Sequence, residues 1–103
     1  MNKVLDLLQD VFNEEEQLSI FKELVKIPSE NPGNYEEDIA LKIQEILQKE
    51  GISSRLEYVE NKRPNLYAVL EGQSKGITVL YNGHLDTVPA GEGWIHSPFA
   101  AFE

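Results

Sequence analysis

The stretch Ile77-Thr78-Val79-Leu80-Tyr81-Asn82-Gly83-His84-Leu85-Asp86-Thr87-Val88-Pro89 decides how this chain is read. Its first five residues form a nearly continuous β-prone run, and a strand apolar on both faces is expected at the centre of a sheet, covered on both sides. The run leads into a His and an Asp, and ligand sites in open α/β sheets lie at the carboxyl ends of such strands. If the chain stays extended through Leu85, side chains two apart share a face, so His84 and Asp86 project together. A metal-ligating His commonly donates its second ring nitrogen to a carboxylate, and Asp86 is the nearest candidate for that orienting role. Gly83 adds freedom for a bend or a close approach of a ligand. On its own, His-x-Asp is a weak signal that reads first as two hydrogen-bonded loop residues at a strand end.

Upstream of this run the pattern is also extended. Gly72 to Gly76 reads as a turn, Leu66 to Leu70 as a strand, and Ile52, Leu56, Tyr58 and Val59 as part of another, with turn residues from Glu60 to Pro64 between them. Further back the apolar period becomes helical. Ile39, Ile43, Ile46 and Leu47 share one face of a helix that Asn34 can cap, with Glu37 three residues on and Gly51 as its stop. Asn31-Pro32-Gly33 marks a loop over Ser29 to Asn34. Before it, Asn13 can cap a helix whose first turn holds Glu14, Glu15 and Glu16; Leu18, Phe21, Leu24 and Val25 form its stripe, and Pro28 stops it near Lys26. Val4, Leu5, Leu8, Val11 and Phe12 predict a further amphipathic helix from about Asn2 to Phe12. Helices followed by strands argue for an α/β domain, with helices packed on a mixed β-sheet.

The composition fits one globular domain: 103 residues, 41% hydrophobic and 26% charged. A chain of this length is expected to bury about 65% of the surface its unfolded form exposes. No apolar stretch approaches the roughly 20 residues of a membrane-spanning helix. A formal charge of −9 disfavours nucleic acid and anionic lipid as partners. With no Cys, any metal must be held by His and carboxylates. Absent disulfides, and an amino terminus already acidic at Asp6 and Asp10, suit a cytoplasmic protein. Trp94, Ile95, Phe99, Ala100, Ala101 and Phe102 crowd the last ten positions, an apolar density that predicts a chain cut inside a larger fold. Core packing is expected for Trp94 and Phe99, exposure without ligation for His96, a turn for Lys62-Arg63, and first-turn dipole roles for Glu36, Glu37 and Asp38.

Taken as an ordered set, Gly-His-Leu-Asp-Thr-Val-Pro over 83–89, Gly93-Trp94 and Ser97-Pro98-Phe99, preceded by Leu24-Val25-Lys26-Ile27-Pro28-Ser29 and Asn31-Pro32-Gly33, resembles the N-terminal region of the M20 metallopeptidase family. That group contains acetylornithine deacetylase, succinyl-diaminopimelate desuccinylase and aminoacylase. The resemblance implies the N-terminal portion of a zinc-peptidase-like catalytic domain over residues 1–103. It implies a co-catalytic zinc hydrolase that cleaves amide bonds of N-acyl amino acids or small peptides with metal-activated water. His84 would be a metal ligand and Asp86 the catalytic residue that orients it. Two zinc ions would serve the full-length enzyme, with cobalt or manganese as alternatives. The remaining ligands and the general base would lie beyond Glu103, so the 103-residue chain by itself is expected to be inactive. The family often forms homodimers through a separate domain, of which this sequence shows nothing. The rival expectation is a non-catalytic α/β module that acts through protein association at exposed strand edges.

Overall fold

The computed structural model describes residues 2–103. It contains three helices, α1 (Lys3–Val11), α2 (Glu14–Val25) and α3 (Glu37–Lys49), then two strands, β1 (Ser54–Glu60) and β2 (Arg63–Ala68). This is an α/β arrangement, and its two-stranded sheet is antiparallel. A parallel relationship appears once, in an isolated bridge between Glu30 and Thr87.

Local chemistry sets the helix ends. Asn2 caps α1, its side chain accepting from the Val4 amide at 3.0 Å, and Asn13 caps α2 by accepting from the Glu16 amide at 3.0 Å. Each satisfies one of the amides that a helix leaves unpaired at its start. Pro28 follows the end of α2 as expected. At α3 the expectation changes. Glu36, not Asn34, occupies the N-cap position and makes no side-chain cap bond. Tyr35 takes a left-handed φ of 62° and its amide donates to the Glu30 carbonyl at 3.1 Å. That turn carries the chain past Asn34 before the helix begins. Gly51, with φ of 73°, closes α3 in a conformation that suits glycine.

The hairpin turns at Asn61 and Lys62, the latter at φ 62°. Strand β2 begins earlier than the apolar pattern suggests and includes Arg63 and Pro64, so Arg63 is a strand residue and not part of the turn. Pro64, which lacks an amide proton, lies opposite Tyr58 beside an irregularity in the ladder, a place where a strand tolerates proline. Helix α3 lies against this hairpin. Ala40 on α3 is fully buried, Gln44 Nε2 donates to the Ser54 carbonyl at 3.4 Å, and the Glu37 amide donates to the Lys62 carbonyl at 3.1 Å. The closest tie is ionic: Arg63 Nη2 and Nε donate to the two carboxylate oxygens of Glu36 at 2.7 and 3.1 Å. Glu36 is only 8% exposed. Its place beside the helix start therefore serves the hairpin as well as the helix dipole. Arg63 also lies over the Tyr35 ring, 5.0 Å from its centroid.

The stretch expected as a central strand carries no ladder. Ile77, Leu80 and Tyr81 are 97%, 85% and 92% exposed. A strand apolar on both faces is stable only when both faces and both edges find cover, and the described residues offer none to 77–81. Trp94 likewise is exposed instead of packed in a core, its indole N–H donating to the Ala90 carbonyl at 2.8 Å. Phe99 is half-buried, as packing would have it. The accessible surface totals 8978 Å², against about 5,900 Å² for a compact monomer of 11.7 kDa. The chain hides roughly half of the surface an unfolded chain exposes, short of the expected 65% or so.

Candidate functional site

The site grows from a contact between two segments far apart in sequence. The Asn31 amide donates to the Thr87 carbonyl at 2.8 Å, and the Thr87 amide donates to the Ser29 carbonyl at 3.0 Å. Side chains reinforce this bridge. Ser29, 2% exposed, donates through Oγ to the Leu85 carbonyl at 2.8 Å. Glu30 accepts the Ala90 amide on Oε2 at 2.9 Å. The loop after α2 thus grips the chain from Leu85 to Ala90. Such a loop needs short polar side chains that bond backbone groups outside regular structure, which Ser and Asn provide.

His84 and Asp86 are brought together on this scaffold. The His84 ring nitrogen Nδ1 lies 2.8 Å from the Asp86 carbonyl oxygen and 3.2 Å from Asp86 Oδ1. Both partners are oxygens that can only accept, so Nδ1 carries the proton. In the neutral ring Nε2 then holds the free lone pair, on a side chain that is 84% exposed. The second carboxylate oxygen, Oδ2, accepts from Asn31 Nδ2 at 3.2 Å. That bond, followed by the one from His84, holds the Asp86 carboxyl below its ordinary value against the opposing effect of desolvation.

These groups border an open cleft of about 950 Å³ between β2 and residues 81–86. Arg63, Asn65, Tyr67 and Tyr81 line it with His84 and Asp86. The donor chemistry fits one ligand to a zinc ion: an imidazole with Nδ1 engaged and Nε2 available is the form that binds metal. It does not make a complete centre. A catalytic zinc takes about three protein ligands, and among the described residues no group of three His, Asp and Glu side chains is placed to hold a metal. His96 does not join His84; its ring is exposed and stacks on Phe102 with centroids 3.7 Å apart.

Sequence reasoning paired His84 with Asp86 by their spacing and overlooked the roles of Ser29, Glu30 and Asn31. The available signal was their polar character beside Pro28 and Pro32, which marked a loop without saying what the loop would hold.

No family model and no solved structure matches the chain. Among curated proteins, a succinyl-diaminopimelate desuccinylase of Helicobacter hepaticus is 36% identical over 90 residues, covering 80% of this chain and 23% of the relative. The desuccinylase of Gluconobacter oxydans is 59% identical over 39 residues, 37% of this chain and 9% of that protein. A protein of Aspergillus clavatus named a probable carboxypeptidase is 30% identical over 82 residues, 80% of this chain and 19% of its own length. The chain therefore spans less than a quarter of the curated relatives it matches. Read with the ordered motifs from Leu24 to Phe99, these likenesses support an M20-type segment.

Proposed function

We propose that this chain belongs to the catalytic domain of a metal-dependent amidohydrolase acting on N-acyl amino acids or small peptides, N-succinyl compounds among them. The observation that carries the reading is the state of the His84 ring: Nδ1–H is directed at Asp86 while Nε2 stays free and solvent-facing. Relatives named desuccinylase and carboxypeptidase support amide hydrolysis as the reaction class.

In this reading His84 Nε2 is one zinc ligand. Asp86 Oδ1 holds the proton on Nδ1, fixes the tautomer and ring orientation, and raises the basicity of Nε2. The cleft beside β2 admits the substrate, with Arg63, Asn65 and Tyr67 on its wall. Zinc, when bound, supplies Lewis acidity toward water and the amide carbonyl. Two ions are the expected complement, the other ligands coming from outside the described residues.

The test uses the protein encoded by the full reading frame. Hydrolysis of N-succinyl and N-acetyl amino acids should vanish with a chelator and return with zinc, and His84→Ala should abolish it. The 103-residue chain alone should show no turnover. If the full protein bound zinc no better than its His84→Ala variant and hydrolysed none of these compounds, the non-catalytic module would be the better reading, with the exposed residues 77–81 as its contact surface.

A further inference from the structure

We propose that Asn31 is a positioning residue that fixes the Asp86 carboxylate, so that Oδ1 stays on His84 Nδ1 and Nε2 remains available. The inference deepens the hydrolase reading and rests on it for the purpose of the free nitrogen. Its geometry is independent of that reading.

An Asp carboxylate turns easily about its last side-chain bond, where the torsion is broad and two-fold. One hydrogen bond to an exposed imidazole does not select an orientation. Here each oxygen has its own donor: His84 Nδ1 at 3.2 Å from Oδ1 and Asn31 Nδ2 at 3.2 Å from Oδ2. Against a carboxylate, only the NH₂ end of the Asn amide can bond, which settles which way that side chain faces. Asn31 is itself held. Its backbone amide is tied to the Thr87 carbonyl, and the two residues just before it, Ser29 and Glu30, bond Leu85 and Ala90. Four of the six residues from Leu85 to Ala90 thus meet the 29–31 loop, and Asn31 is the member of that loop whose side chain reaches Asp86. The arrangement is a relay of Asn31, Asp86 and His84 in which the first member is anchored by backbone and the last is exposed.

A merely structural role predicts something else. His84 Nδ1 also reaches the Asp86 carbonyl at 2.8 Å, and if that bond sufficed, the ring would keep its tautomer without Asn31. The two cases separate in the long-range ¹H–¹⁵N spectrum of the 103-residue chain, recorded without metal near pH 8, where an ordinary imidazole is neutral. A His96→Ala background leaves His84 as the sole imidazole. The parent should show mainly Nδ1–H. Asn31→Asp keeps the shape and removes the donor, Asn31→Ala removes the donor without adding charge, and Asp86→Ala removes the acceptor. In each, the ratio of Nδ1–H to Nε2–H should fall roughly five- to tenfold, the change expected from losing one hydrogen bond. Cross-strand contacts between Leu56 and Leu66 report that the hairpin is intact.

If Asp86→Ala loses the Nδ1–H form and both Asn31 variants keep it, Asn31 does not position the carboxylate and the proposal is overturned. If Asp86→Ala also keeps it, the relay does not exist. Because no metal takes part, a failure of the hydrolase reading leaves this spectrum unchanged, and the two failures are told apart.

Discussion

At the scale of single residues, the least exposed ion pair among the described residues is that of Glu36 and Arg63. Glu36 is nearly buried and gives both oxygens to Arg63. Removing one member of such a pair leaves a desolvated charge unpaired, which costs more than neutralising it in place. Arg63→Leu should therefore loosen α3 from the hairpin more than Glu36→Gln does, read as faster hydrogen exchange at the Glu37 amide, which bonds the Lys62 carbonyl across the same junction. Equal effects would show that the pair is held by its surroundings and not by charge. Neither this pair nor the Asn31 contact could be read from the sequence. A spacing of two residues between His84 and Asp86 is a local rule that strand geometry supplies, whereas Glu36 and Arg63 are 27 residues apart and Asn31 and Asp86 are 55 apart. No period in a sequence announces such a meeting.

The elements follow their local signals at the Asn13 cap of α2 and at the Gly51 stop of α3. Asn13→Ala should cost about 1 kcal/mol through loss of the α2 cap, measured as a fall in helix protection confined to residues 14–17. Gly51→Ala should cost about 1 kcal/mol by forcing alanine into a left-handed conformation. A Cβ at Gly51 would meet nothing within 4 Å, so that cost is purely conformational and Gly51→Asn should recover part of it. On α3, Lys49 and then Lys42 hold the Glu45 carboxyl below its ordinary value of 4.5, with Lys49 at 3.1 Å and Lys42 at 3.6 Å. A lowered folded-state value means that the contribution is complete above the ordinary value and is lost as the pH falls through the folded one. The helical content of α3 should decline in acid below pH 4.5, and Glu45→Gln should flatten that decline. Asn34 does not cap α3 because Tyr35 turns left-handed first, a choice stabilised by the Glu30 carbonyl earlier in the same loop. The 77–81 strand failed for the opposite reason: its residues have the right character, and pairing is a property of neighbours.

The whole molecule is more extended than its length implies. Its radius of gyration is 16.7 Å, where about 13 Å is usual for a compact domain of this size. Large apolar side chains on α1, on 77–81 and near Trp94 face solvent, an amount of exposed surface typical of an interaction site. Small-angle scattering of the chain should give a radius near 16–17 Å at high dilution, rising with concentration, with dye binding at the exposed apolar surface. A radius near 13 Å would mean that 77–81 finds cover within the chain. Among the described residues, the helices and the hairpin are made of near neighbours, but the grip of 29–31 on 85–90 spans more than 50 positions. Joining ends that far apart costs roughly 3.5 kcal/mol of chain entropy before any contact forms. Folding kinetics should therefore run in a fixed order, with helices and hairpin early and the surroundings of His84 last. On a ribosome, the histidine would wait, ungripped, until Ala90 has followed it out of the exit tunnel.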